Sequence, residues 1–351
     1  RTHVMFEIAP VAQHTVAIIG AATLLLAGFC ALAQTDIKRV LAYSTMSQIG
    51  YMFLALGVGA WGGAIFHLMS HAFFKALLFL ASGSVILACH HQQEMARMGG
   101  LRKKLPITFW SFVVGGLALA AIPPTAGFFS KDAIIHLTYV SGNKGLWVCA
   151  VIGAFLTAVY TSRMIYLTFF GEYRGEEPDE HGHGGPVTKP HGLAHNIPLI
   201  VLMIASLIGG FWGLKLTGVL PAAPHGEQPE LLEYLPLIVS VFGIVIAWPL
   251  FMTYGETTKR LTHRGTGNRV RLLWLNAMGF DWLWDQLLVK PWYFFGRFGR
   301  RDAVDMLGRA TEEAFQRWNG LFARTQNGQL RWYAASIGLG AVLILAAGIY
   351  S

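Results

Sequence analysis

Apolar residues fall in long blocks along this chain, separated by short polar stretches in which basic loops alternate with nearly neutral ones. Crossing a hydrocarbon core of ~30 Å takes about 20 apolar helical residues, and about eight segments qualify. They are 14–33, 44–60, 64–89, 107–139, 145–170, 196–217, 233–254 and 332–350. This pattern predicts an all-α polytopic membrane protein. The third block, Ala64 to Cys89, contains three ionisable residues, His67, His71 and Lys75, spaced four apart. At about 100° per residue they fan over only ~80° of helix surface, with Ser70 beside them. A charge at the bilayer centre costs at least ~2.5 to 3.5 kcal/mol, so this stripe marks a functional site by default.

The fourth block is too long. Leu105 to Val140 would make one helix of ~50 Å at 1.5 Å per residue. Inside it stands Pro123-Pro124-Thr125-Ala126-Gly127. Adjacent prolines remove backbone donors and clash with the preceding turn, and Gly127 tolerates unwound backbone. The expectation is a helix broken within the membrane, followed at once by Lys131 and Asp132, where free helix ends help to solvate an ion.

From about Asn276 to Trp332 the periodicity stays helical but the composition changes. Aromatics and leucines recur, while Asp281, Asp285, Lys290, Arg297, Arg300, Arg301, Asp305, Arg309, Glu312, Glu313 and Arg317 occupy other positions. Such a segment is amphipathic and too charged to span. As one helix it would run ~75 Å along the membrane surface before the last span. The alternative is a set of short interfacial helices broken at Pro291, Gly296, Gly299 and Gly308. Pro249, in the seventh block, is expected only to kink it.

Composition supports the membrane reading: 54% of the residues are hydrophobic, 13% are charged, and the mean hydropathy is +0.47. A soluble domain carries roughly twice that charge. Lys38 and Arg39, then Arg97, Arg102, Lys103 and Lys104, then Lys259 to Arg271 mark every second loop as basic. The intervening loops hold just Lys144 as a basic residue. The positive-inside rule places the basic loops in the cytoplasm, so the net charge of +8 reflects topology and not nucleic-acid binding. Cys30, Cys89 and Cys149 read as packing residues, since no CxxC or Cys/His quartet is present for a metal or an iron–sulfur cluster. No GxGxxG, P-loop or GxSxG supports nucleotide binding or acyl transfer.

Each polar feature has an ordinary alternative. His67 and His71 could simply hydrogen-bond neighbouring helices. They also have the i, i+4 spacing of a zinc pair, but without the glutamate of HExxH or a third ligand. Lys131 and Asp132 could cap a helix at the membrane surface. The loop Gly171 to Asn196, with His181, His183, His191 and His195, could capture a metal, although its composition fits a solvated connection better.

Three long strings carry a resemblance: Thr35 to Gly50, His67 to Phe79 and Thr125 to Asp132. They resemble the antiporter-type membrane subunits of the respiratory NADH:quinone oxidoreductase, complex I. The amphipathic arm and last span also resemble that family, so the similarity covers essentially the whole chain. It implies a proton channel built from two inverted five-helix repeats, each with a broken helix and a central lysine. It implies that Lys75 is the connecting lysine, His67 and His71 its relay partners, and Lys131 the exit-side lysine beside Asp132. No cofactor or metal is expected on this chain; FMN, iron–sulfur clusters and quinone belong to other subunits. Partners would be the other membrane subunits, above all neighbouring antiporter-like ones reached by the arm, and lipids, in a bacterial inner membrane.

The implied organisation is a second five-helix repeat over 1–171, a polar cytoplasmic loop over 172–195, and two further spans over 196–255. A cytoplasmic loop and lateral arm follow over 256–331, then an anchor over 332–351. The first repeat is missing, so the chain reads as the C-terminal part of a longer subunit. Two other functions stay open. One is a subunit of a multisubunit Na+/H+ antiporter, and the other is a structural clamp whose arm straps membrane subunits together.

Overall fold

The structure, a computed structural model, describes residues 2–175, 187–188, 192–212, 220–221, 223, 226, 228–253, 255–299, 303–325 and 328–350. His181, His183, His191, Arg300 and Arg301 lie outside the described residues. Two compact units form, Arg1–Asp281 and Trp282–Ser351. In the first unit the helices are α1 His3–Ile8, α2 Pro10–Ala33, α3 Ile37–Gly57, α4 Trp61–Ala88, α5 Pro106–Leu119, α6 Ala126–Val140, α7 Lys144–Phe169 and α8 Leu193–Ile208. They continue with α9 Glu230–Glu233, α10 Leu235–Trp248, α11 Gly255–His263 and α12 Gly265–Leu275. No strand forms among the described residues beyond an isolated bridge between Asp36 and Glu94.

Among the described residues, six helices are long and apolar enough to cross a membrane: Pro10–Ala33, Trp61–Ala88, Lys144–Phe169, Ala194–Phe211, Leu235–Thr253 and Leu330–Ile349. The expected second and fourth blocks are helical without meeting that standard. Helix α3, 21 residues long, carries Lys38, Arg39, Ser44, Ser47 and Gln48, and the fourth block is divided into α5 and α6. The surface has the inverted polarity of a lipid-facing bundle. Leu68, Leu80, Trp110, Val148 and Val201 are exposed, while Ser44, Gln48, His67, Lys75 and Lys131 are buried.

Local chemistry sets the boundaries. Helix α3 begins seven positions earlier than hydropathy suggests because Asp36 is its N-cap, accepting from the Lys38 and Arg39 amides at 2.7 and 3.0 Å; this satisfies donors a helix start leaves orphaned. Helices α2 and α3 approach backbone to backbone. A Cβ at Gly50 would lie 2.6 Å from the Leu24 nitrogen and 2.8 Å from the Gly20 oxygen, so only glycine fits this small-residue interface. The close approach lets Ser47 Oγ donate to the Leu24 carbonyl at 3.1 Å.

The break falls where the double proline predicts, but its mechanics differ from the expectation for Gly127. Helix α5 closes with Ala121 in the left-handed region, φ +59°. The Ile122 amide donates back to the Leu117 carbonyl at 3.0 Å and the Ala121 amide to Ala118 at 3.2 Å, a Schellman-like stop. Pro123 and Pro124 are exposed in the linker. Gly127 is helical, inside the first turn of α6. It is small because a Cβ there would run into the Ala118 carbonyl, so it permits close contact between the two halves and does not unwind the chain. The end of α8 seats on this junction, with Phe211 packed 5.0 Å from Phe129.

Pro249 opens a π-helical turn, Pro249–Thr253, that extends α10. It therefore changes the helix type. Helix α12 ends at a left-handed pair, Ala277 at φ +53° and Met278 at φ +55°. Helix α13, Phe280–Trp284, follows.

Within the second unit a π-turn, Asp285–Val289, leads to α14 Lys290–Gly299, then α15 Ala303–Thr325 and α16 Leu330–Tyr350. Pro291 and Gly296 are absorbed within α14, and Gly308 within α15. Along α15, Leu307, Phe315, Trp318, Leu321 and Phe322 form one exposed apolar face, as the amphipathic pattern predicts.

Candidate functional site

Two hydrophobic clusters fill the core of the helical bundle, and a polar layer lies between them. On α3, Leu41 belongs to one cluster and Leu54 to the other; on α4, Phe74 and Ala64; on α7, Tyr160 and Ala154. Between those positions along the same helices come Ser44, Ser47 and Gln48, then His67, Ser70 and His71, then Thr157, all buried. Ser130 and Lys131 on α6 complete the layer and are fully buried. Four helices thus place their polar residues at one depth, with apolar side chains above and below.

The hydrogen bonds run through this layer. Lys131 Nζ donates to the Leu119 carbonyl at 3.5 Å, one of the free carbonyls at the C-terminal end of α5, where the helix dipole favours a cation. The ammonium also sits 4.8 Å over the Tyr51 ring, a cation–π contact. The Tyr51 hydroxyl donates to the Ala150 carbonyl at 2.5 Å. Next to Lys131 in sequence, Ser130 Oγ lies 2.9 Å from His67 Nδ1, and His67 Nε2 lies 3.2 Å from Gln48 Oε1. The His71 ring is 6.1 Å from that of His67 and edge-on to Phe74 at 5.3 Å. Lys75 Nζ donates to the Leu41 carbonyl at 3.0 Å and to Ser44 Oγ.

The Gln48 amide, placed with Oε1 toward His67, goes with one tautomer of the ring. Gln48 Oε1 is an acceptor, so Nε2 carries the hydrogen, and neutral His67 accepts at Nδ1 from the Ser130 hydroxyl. When Nδ1 is protonated it donates to Ser130 Oγ instead, and that hydroxyl turns to the Ala126 carbonyl, 3.1 Å away. Both charge states are therefore hydrogen-bonded with the same heavy-atom positions. His71 Nε2, Gln48 Nε2 and the Tyr160 hydroxyl, by contrast, are buried without partners, and such groups take up bridging water in proteins.

These contacts account for the residues expected from sequence. His67, His71, Lys75 and Lys131 join one layer. Asp132 does not: it is half-buried on another face of α6, with His136 and Glu233 as its charged neighbours, because adjacent helical residues diverge by about 100°. Both ring nitrogens of His67, the first of the i, i+4 pair, face Ser130 and Gln48. Among the described residues no group of three or more His, Cys, Asp or Glu could hold a metal ion. His195 faces Ser84 Oγ at 2.6 Å.

Sequence reading passed over Ser44, Gln48, Tyr51, Ser130 and Tyr160. A signal existed for the first three: together with Ser47, Ser44, Gln48 and Tyr51 recur every three or four residues in an otherwise apolar block, one polar face of a helix. Ser130 and Tyr160 carry no such sign, because nothing in sequence shows which helix faces them.

The class follows from two comparisons. Residues 1–157 match the family model described as NADH:quinone oxidoreductase/Mrp antiporter, transmembrane. The fold is similar to a solved structure of the Mrp complex from Dietzia sp. DQ12-45-1b, with TM-score 0.55 and 21% identity over 73% of this chain and 51% of that chain. The chain belongs to this family of antiporter-like membrane subunits. Within it, the chain is similar to NADH-quinone oxidoreductase subunit L of Pseudomonas aeruginosa and of Escherichia coli K12, each 48% identical over 352 residues. It is 38% identical over 346 residues to subunit L of Buchnera aphidicola from Acyrthosiphon pisum. The first two alignments cover 99% of this chain and 56% of the relative, so the chain spans about half the length of these proteins.

Proposed function

We propose that this chain forms a proton-conducting half-channel in a membrane subunit of a bacterial NADH:quinone oxidoreductase. The observation that carries the reading is the buried layer from Lys75 through His71, His67 and Ser130 to Lys131, enclosed by apolar clusters on either side. Protons travel along it from the connecting lysine toward the exit-side lysine. Lys75, held by Leu41 and Ser44, gives a proton toward His71; His67 receives it and passes it at Nδ1 to Ser130; Lys131 accepts it at the mouth of the broken helix. Histidine suits the middle positions because it exchanges protons near neutral pH. Lysine suits the ends because movement of a nearby charge switches its protonation.

In this reading FMN, the iron–sulfur clusters and quinone reside on other subunits, and redox energy arrives through neighbouring membrane subunits of the bacterial inner membrane. The exposed apolar face of α15 supports an arm that lies along adjacent antiporter-like subunits and lipid. Lys75→Ala and Lys131→Ala in the complete complex should each lower NADH-driven acidification of inverted vesicles and the coupled quinone reduction. Unchanged pumping in both variants defeats the assignment. The fold shared with the Mrp complex favours a second reading, a subunit of a Na+/H+ antiporter; sodium/proton exchange in vesicles without NADH oxidation would establish it.

A further inference from the structure

Helices α11 and α12 form a hairpin that the proton layer does not use. Helix α11 packs on the π-turn that ends α10, and α12 packs on α2, with Trp274 stacked 4.9 Å from Phe29 near the end of α2 and Gln34 Nε2 donating to the Leu275 carbonyl at 3.2 Å. The hairpin is therefore fixed at the ends of two candidate spans, at the level where hydrocarbon gives way to headgroups.

Its charge is one-sided. Lys259, Arg260, Arg264, Arg269 and Arg271 face a single carboxylate, Glu256, which Lys259 already engages at 2.9 Å. That leaves about half of the chain's net +8 within 255–275. Lys259, Arg260, Arg264 and Arg269 are exposed, and among the described residues no carboxylate forms an ion pair with Arg264 or Arg269, while Arg260 shares Glu256 with Lys259. Arg271 reaches Asn268 Oδ1 at 3.1 Å, while its Nε is buried without a partner. Beside these cations Val270, Leu272 and Leu273 are exposed apolar side chains. Basic residues flanking exposed aliphatics at the end of a membrane span fit an anionic membrane surface, the aliphatics entering the acyl boundary and the cations meeting phosphates.

We propose that the α11–α12 hairpin is a binding surface for acidic phospholipid in the leaflet at the basic end of the bundle. Phosphatidylglycerol-type headgroups supply the counter-charge that the chain itself lacks there. A phosphate accepts bidentate bonds from the arginines, and the acyl chains cover Leu272 and Leu273.

The test uses the full chain reconstituted in phosphatidylcholine vesicles containing a trace of spin-labelled phosphatidylglycerol or spin-labelled phosphatidylcholine. Electron paramagnetic resonance then reads the motionally restricted fraction of each. The unaltered protein should favour phosphatidylglycerol several-fold, and raised salt should weaken the preference. The variant K259Q/R260Q/R264Q/R269Q should bring it close to unity, whereas the charge-conserving K259R/R260K/R264K/R269K should retain it, which separates loss of charge from misfolding. Equal preference in the neutralised variant overturns the proposal. So does loss of preference on neutralising Arg309, Arg317 and Arg324 of the arm with the hairpin intact, which would place the lipid contact elsewhere.

Discussion

Lys75 and Lys131 are both buried amines, yet they are solvated differently. Lys75 donates to a carbonyl and a hydroxyl of α3; Lys131 has one carbonyl at 3.5 Å and a tyrosine face. An ammonium has three protons to place, so Lys131 depends on the free end of α5. Between them, His67 is the residue whose two charge states are both hydrogen-bonded without moving a heavy atom. His67→Gln keeps polar contacts to Ser130 and Gln48 but cannot carry a proton. Proton translocation by the complete complex should fall by about tenfold or more, while the assembled amount, measured by native gel, stays unchanged. Ser130→Ala removes the exit-side hydrogen bond alone and should give a smaller loss of pumping in the same vesicles.

At the scale of elements, the break between α5 and α6 is built from backbone geometry. Ala121 adopts a left-handed conformation that costs a non-glycine residue on the order of 1 kcal/mol. Ala121→Gly should therefore raise the midpoint of thermal unfolding in detergent, and Ala121→Ile should lower it by more, since a β-branched residue is worst in that region. The α2–α3 contact depends on Gly50. Gly50→Val must push the helices apart, costing about 1 to 3 kcal/mol, and would shift Ser44 and Gln48 away from Lys75 and His67. Reduced stability together with reduced pumping is the expected result; normal pumping would show that the position of α3 does not matter to the layer.

At the scale of the whole chain, orientation rests on charge. Lys103 is exposed in a basic loop, and Lys144 is exposed at the opposite end of the bundle. With cysteine at each in turn, in a background where Cys30, Cys89 and Cys149 are serine, an impermeant maleimide should label Lys103→Cys in inverted vesicles and Lys144→Cys in intact spheroplasts. The reverse pattern would invert the topology and with it the direction of the proton path. The arm is tested separately: removing 276–351 from the complete subunit should impair assembly with neighbouring membrane subunits. If assembly fails while Lys75→Ala and Lys131→Ala still pump normally, the arm's clamping role is the principal one.

Periodicity and composition by themselves determined the helical class, the broken fourth block, the amphipathic arm and the stripe of His67, His71 and Lys75. Each of these is a property of one segment against its solvent, and spacing along one helix suffices to read it. Tertiary structure decided the rest because the remaining facts concern which faces meet. It set Asp132 apart from Lys131 and showed Gly127 to be a close-packing residue, leaving the left-handed turn to Ala121. It also joined α3, α4 and α6 through Gln48, His67 and Ser130. A polar residue in an apolar block announces only that a partner is needed; the packing of the neighbouring helices names that partner.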